Sequence, residues 1–211
     1  VGGRYGRDNT RGGFGLRFLR AHSLSADCGK NLSEISELVD HLLERAVRTD
    51  GPFTLRSGEV SNWYIDARQT TYDGRGARLI GEALLEVLDH SVEAVGGMTM
   101  GADPLAIATA VVGTERPLRA FSIRKAAKEH GVGGRIVGPV KSGDRVAVLE
   151  DTTTTGGAFI EAIDVALGAG LVVLQAVALI DRSRGKVLEM MKDRGIPYRW
   201  ILTPTDLGLE D

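Results

Sequence analysis

Residues 145–163 read RVAVLEDTTTTGGAFIEAI, and the order of residue types in this stretch decides the fold. The β-branched, apolar VAVL run predicts a buried strand, and AFIEAI predicts a helix entered directly from the turn. Between them stand two acids, Glu150 and Asp151, then Thr152, Thr153, Thr154 and Thr155, then Gly156 and Gly157, with Ala158 opening the helix. Paired glycines permit a tight turn in which backbone N–H groups converge. Threonine hydroxyls add donors, and the following helix aims its positive end at the same place, so the turn suits a dianionic phosphate. Glu150 and Asp151 would repel that phosphate inside the same nest, so they should face a neutral or cationic neighbour such as a ribose diol or a metal ion. No Gly-Lys-Ser/Thr follows and the glycines lack G-x-G-x-x-G spacing, which excludes the two commonest nucleotide loops.

Outward from this loop, apolar runs at 92–96, 118–123, 172–180 and 198–202 alternate with helical patterns at 103–112, 157–169 and 185–194. Such alternation predicts an α/β fold with a parallel sheet covered by helices and a ligand site beyond the carboxyl ends of the strands. Upstream, Ile35, Leu38, Val39, Leu42, Leu43 and Ala46 repeat at helical spacing behind Ser33, a candidate N-cap. Residues 53–68 predict a hairpin about a Ser-Gly turn, and residues 75–90 a second amphipathic helix.

Composition bounds the function. The 211 residues carry 26 Lys and Arg against 28 Asp and Glu, so no global positive field draws the chain to nucleic acid or acidic membranes. No apolar run approaches the length needed to span a bilayer. A single cysteine, Cys28, excludes an internal disulfide and suits a reducing, cytoplasmic setting. Residues 1–32 are glycine- and arginine-rich with sparse apolar side chains, and are expected to form a disordered extension.

One basic segment stands out against this background. FSIRKAAKEHGVGGRIVGPVKSG (121–143) holds Arg124, Lys125, Lys128, His130, Arg135 and Lys141 against the single acid Glu129, with five glycines. Charge combined with glycine predicts a mobile loop, over about residues 124–143, that closes on an anionic group and excludes water.

The apolar run, acid pair and Thr/Gly turn at 145–157 resemble the 5-phosphoribosyl 1-diphosphate (PRPP) signature of the type I phosphoribosyltransferases. The R-K-x-x-K-x-H spacing of Arg124, Lys125, Lys128 and His130 is similar to the catalytic loop of the orotate phosphoribosyltransferase family. TLRSGEVSNWYIDAR (54–68) resembles that family's N-terminal hood, with Arg56 in the basic position, and Tyr64 and Ile65 where two aromatics are common. The turn within VGGMTMGADPLAIA (95–108) resembles the family's diphosphate turn but carries Thr99 and Met100 where a lysine is frequent. Arg182, in VALIDRSRGK (177–186), matches an orotate-binding arginine.

The resemblance implies a type I phosphoribosyltransferase fold over residues 33–211, with a hood at about 33–70 and a core at about 71–211. It implies transfer of the phosphoribosyl group of PRPP to orotate, giving orotidine 5'-phosphate and diphosphate in pyrimidine biosynthesis, with Mg2+ held by diphosphate, ribose hydroxyls and water. PRPP contacts would come from Arg56, Arg124, Lys125, Lys128, His130, Glu150, Asp151 and the stretch from Thr152 to Ala158. Lys125, Lys128, His130 and Asp151 would be catalytic, and orotate would meet Tyr64, Ile65, Thr154 and Arg182. A homodimer is implied, with Lys125 contributed in trans, and no nucleic-acid or membrane partner. The chain length leaves no room for a fused decarboxylase, so a monofunctional enzyme is expected. Two other readings stay open from the residues: a type I enzyme for another base, and a non-catalytic nucleotide- or RNA-binding regulator on the same fold.

Overall fold

The computed structural model describes residues 31–54, 60–126 and 134–209. Residues 1–30 and the candidate residues Arg56, Lys128 and His130 lie outside the described residues; the last two residues of the expected extension 1–32, Asn31 and Leu32, are instead helical.

Helix α1 (Asn31–Arg45) is followed by short strands β1 (Val47–Arg48), β2 (Phe53–Thr54), β3 (Val60–Ser61) and β4 (Tyr64–Ile65). Leu38 and Leu42 on α1 are fully buried, as the periodicity predicts. The helix begins two residues ahead of Ser33, because apolar spacing locates a buried stripe and not an exposed first turn. β2 pairs antiparallel with β3, and β1 pairs antiparallel with β4 through Val47↔Ile65 and Arg48↔Tyr64. A short helix α2 (Arg68–Thr71) leads to α3 (Gly74–Val87), capped by Asp73, whose carboxylate accepts the N–H groups of Arg75 and Gly76 at 2.9 and 3.0 Å.

Apart from β7, the remainder alternates as predicted: β5 (Ala94–Met98), α4 (Ala102–Val112), β6 (Arg119–Ile123), β7 (Ile136–Val137), β8 (Arg145–Thr153), α5 (Gly157–Gly168), β9 (Val172–Asp181), α6 (Lys186–Asp193), β10 (Tyr198–Leu202), then a 3-10 turn at Thr205–Leu207. β7 falls within the stretch 124–143 expected to be a mobile loop: Ile136 and Val137 pair with Ile123 and Ser122, and Arg135 is held by Glu161, so the end of that stretch belongs to the sheet. The long strands form one sheet in the order β10-β9-β8-β5-β6-β7, parallel except for β7, which pairs antiparallel with β6. β8 runs further than the apolar pattern predicts, because the ladder to β9 continues through Glu150↔Ala178, Thr152↔Ile180 and Thr153↔Asp181. Hydropathy marks only buried positions, whereas backbone pairing carries on into the polar end of the strand.

Alternate strand residues feed two cores. Val95, Ala147, Leu149, Val177 and Leu179 pack with α1, α3 and α4, while Ala94, Val146, Val148, Ala176 and Ala178 pack with α5 and α6. The result is a helix-sheet-helix sandwich whose parallel strands are apolar on both faces. The chain leaves β5 toward β6 on one side and returns with β8 on the other, so the crevice lies at the carboxyl ends of β5 and β8. Among the described residues no helix is long and apolar enough to cross a membrane.

Candidate active site

At that switch point lies a cavity of about 490 Å3, walled by residues 64–68 from the hood side, the turn after β5 (Met98 to Gly101), Lys125, and Glu150, Asp151, Thr152 and Ala158. Segments far apart in the chain meet here because β5 and β8 are neighbours in the sheet.

Glu150 and Asp151 are both half-buried at the end of β8. Burial, reinforced by the adjacent Asp151 carboxylate and offset in part by Lys125, pushes the Glu150 carboxyl up to about 8. Glu150 Oε2 is enclosed and has no hydrogen-bond partner among the described residues. Burial also raises Asp151, while the Thr152 N–H, donating to Asp151 Oδ1 at 2.8 Å, and the Arg68 guanidinium pull it back. Such a pair, short of donors and of positive charge, suits ribose hydroxyls, a cationic sugar carbon or the hydration shell of a metal ion. Among the described residues no three His, Cys, Asp or Glu side chains gather where they could hold a metal by themselves.

The threonines part company. Thr152 lines the cavity, Thr153 is buried with its hydroxyl unpartnered among the described residues, and Thr154 and Thr155 are exposed in the turn. Gly156 follows with φ +78°, and a Cβ there would meet Val187 Cγ2 at 2.8 Å, so glycine is required on both counts. α5 starts at Gly157 with no side-chain cap, and Gly157 and Ala158 are exposed, which leaves its first N–H groups for an anion.

After β5, Thr99 Oγ1 donates to Asp103 Oδ2 at 2.6 Å, pinning the turn to the first residues of α4. Of the cationic segment, Lys125 is exposed and reaches the cavity wall, whereas Arg124 is half-buried and its N–H donates to the Arg135 carbonyl at 2.8 Å. Tyr64 lines the cavity, 38% exposed and tilted against Phe53 with ring centroids 5.9 Å apart. Ile65 also touches the cavity but belongs chiefly to the core. Arg182 is not among the lining residues; its guanidinium carbon sits 4.4 Å from the ring centroid of Trp63.

Sequence reasoning passed over Arg68. Its guanidinium pairs with Asp66 through Nε at 2.7 Å and Nη2 at 3.2 Å, lines the cavity and acts electrostatically on Asp151. It adds a cation on the wall shared with the lysine-free turn at Thr99 and Met100. The only signal in the sequence was its position closing the hood segment.

A parallel sheet with this strand order, an acid pair ending β8 and an open Thr/Gly turn entering α5 define a type I phosphoribosyltransferase. No protein-family model matches the chain. The chain is 41% identical over 176 residues to an orotate phosphoribosyltransferase of Streptomyces avermitilis, covering 82% of this chain and 96% of that one. It superposes on the crystal structure of Mycobacterium tuberculosis orotate phosphoribosyltransferase in complex with Fe(III) dicitrate with a TM-score of 0.75 and 36% identity, covering 83% of this chain and 99% of that one. The same mycobacterial protein in complex with PRPP gives a TM-score of 0.71 at 33% identity, again over 83% and 99%. The chain belongs to the orotate phosphoribosyltransferase family and is a phosphoribosyl-transferring enzyme.

Proposed function

We infer that the protein joins orotate to PRPP in a Mg2+-dependent reaction, as a cytoplasmic homodimer. The observation that carries this reading is the convergence, in one crevice, of Glu150, whose Oε2 has no partner among the described residues, the adjacent Asp151, the open start of α5 and the cation Lys125. The PRPP complex of the mycobacterial relative supports the same substrate.

In the reaction the bond from C1' to the diphosphate oxygen breaks, and diphosphate departs with the electron pair. N1 of orotate forms the new bond to C1' and gives up its proton. Residues Thr152 to Gly157, from the end of β8 to the start of α5, hold the 5'-phosphate and so fix the sugar. Glu150 and Asp151 accept the ribose hydroxyls and favour positive charge as it grows on the ribosyl carbon. The orphaned Glu150 Oε2 suits a hydroxyl or a metal-bound water. Mg2+ bound with PRPP would neutralise the diphosphate; no side chain would hold it directly, and Glu150 and Asp151 would meet it through ribose hydroxyls and water.

Lys125, with Arg56, Arg124, Lys128 and His130, meets the negative charge accumulating on the leaving group. Asp151, Lys125 and Lys128 are the groups suited to proton handling. Arg182 and Thr154 take the orotate carboxylate, and a site built to pair a carboxylate rejects uracil, because donors covered by the bound pyrimidine would be left unpaired. Tyr64, with Ile65 beside it, covers the pyrimidine.

A second copy of the chain is supported by an apolar groove of about 670 Å3 between α3 and α4, on which Tyr72, Ile107 and Val111 are 63%, 58% and 69% exposed. Asp103, which holds Thr99, also lines that groove, so a partner seated there lies against the diphosphate turn.

Diphosphate release measured with Mg2+ and PRPP should require orotate and fail with uracil, adenine or hypoxanthine. Release with a purine would transfer the reading to another type I enzyme. RNA binding without any release would favour the regulator.

A further inference from the structure

We propose that Trp63 is a positioning residue for orotate: its buried ring is the platform that holds the Arg182 guanidinium ready for the substrate carboxylate. This role rests on the assignment of Arg182 to orotate inferred above.

Both backbones are fixed before the side chains meet. Trp63 lies between β3 and β4 and is only 4% exposed. Ser61 Oγ donates to the Trp63 carbonyl at 2.8 Å and accepts the Trp63 N–H at 3.3 Å, so the turn presenting the indole is closed by one side chain. Arg182 is the first residue after β9, and its N–H donates to the Thr153 carbonyl at 2.8 Å, which ties it to the end of β8. From these two anchors the guanidinium carbon reaches 4.4 Å from the indole centroid.

An arginine side chain has several rotatable bonds, and a substrate that must immobilise it loses that freedom on binding. Stacking on an indole removes most of the freedom in advance. It engages the face of the guanidinium, whereas a carboxylate is gripped by the in-plane N–H edge, so the two interactions are compatible. Trp63 Nε1 is buried and makes no hydrogen bond among the described residues, so the ring serves by its face and not by its N–H. The contact also ties the hood to the end of β9, and Tyr64, the residue after Trp63, lines the crevice.

The test is steady-state kinetics on Trp63→Leu, Trp63→Phe, Arg182→Ala and the Trp63→Leu/Arg182→Ala double variant, each checked for folding by its thermal melt. Trp63→Leu should raise the orotate KM roughly 5- to 30-fold, while the PRPP KM stays within about twofold and kcat changes little. Trp63→Phe, which keeps an aromatic face, should recover most of the loss. On the Arg182→Ala background, Trp63→Leu should add nothing further to the orotate KM. The proposal is overturned if Arg182→Ala weakens orotate but the two Trp63 variants do not. Equal rises in both KM values, or full additivity in the double variant, overturn it as well, since the tryptophan would then only support the hood. If Trp63→Leu does not fold, Trp63→Met, which fills the space without an aromatic face, takes its place in the same double cycle. An orotate KM unchanged in Arg182→Ala removes the assignment of that arginine itself, and this role of Trp63 with it.

Discussion

Gly101 packs directly against Asp151: a Cβ built on Gly101 would stand 2.7 Å from Asp151 Oδ1 and 2.8 Å from its Cγ. The turn after β5 and the acid pair after β8 thus touch, and the touch depends on a residue with no side chain. Gly101 has φ −61° and ψ −45°, which alanine adopts freely, so Gly101→Ala leaves the backbone unstrained and acts through the displaced carboxylate alone. We expect kcat/KM for PRPP to fall by about 10- to 100-fold with little change in thermal stability. An unchanged kcat/KM would mean that the position of Asp151 is not critical.

The Glu150 carboxyl, raised by burial from its ordinary 4.5 to about 8, should leave a signature in stability against pH. Between those values the native protein keeps a proton that the unfolded chain has lost. Native stability therefore falls as pH rises through that window, by on the order of a few kcal/mol. Glu150→Gln removes the dependence. Without ligands, the variant should melt several degrees above the parent near pH 8.5 and converge with it near pH 4, as scanning calorimetry would show.

Arg68 should matter for PRPP more than for orotate. It is the cation beside the lysine-free turn, and Asp66 holds it there at 2.7 Å. Arg68→Ala should raise the PRPP KM by roughly 3- to 10-fold and flatten its dependence on ionic strength, since an exposed cation acts on phosphate through a screened field. Without that guanidinium the Asp151 carboxyl should also titrate higher, because Arg68 holds it down.

Lys125 is exposed on the cavity wall and outside both cores, so Lys125→Ala should collapse turnover while leaving the melting temperature unchanged. Co-expression with Asp151→Asn tests delivery in trans. Lys125 borders the cavity of its own chain, and the family resemblance implies delivery to the partner's; heterodimers carrying one defect per chain should regain activity at one of their two sites if delivery is in trans, and no recovery would mean that each site is self-contained.

Much of the molecule was determined by the sequence alone. The alternation of apolar runs with helical stretches defined an α/β sandwich, because burial patterning is a local property of each element. The run from Arg145 to Ile163 carried its own chemistry for the same reason: acids, threonines and glycines that act together lie side by side in the chain. Only the tertiary structure decided what those residues meet. Strands buried on both faces read alike, so their order was not legible, and it is the neighbouring of β5 and β8 that sets Gly101 against Asp151. The stack of Arg182 on Trp63 and the arrival of Arg68 at the cavity are likewise contacts between segments remote in sequence. Trp63 and Arg68 show no periodicity or motif of their own, since what places them is the packing of the hood on the sheet and not any preference of the local backbone.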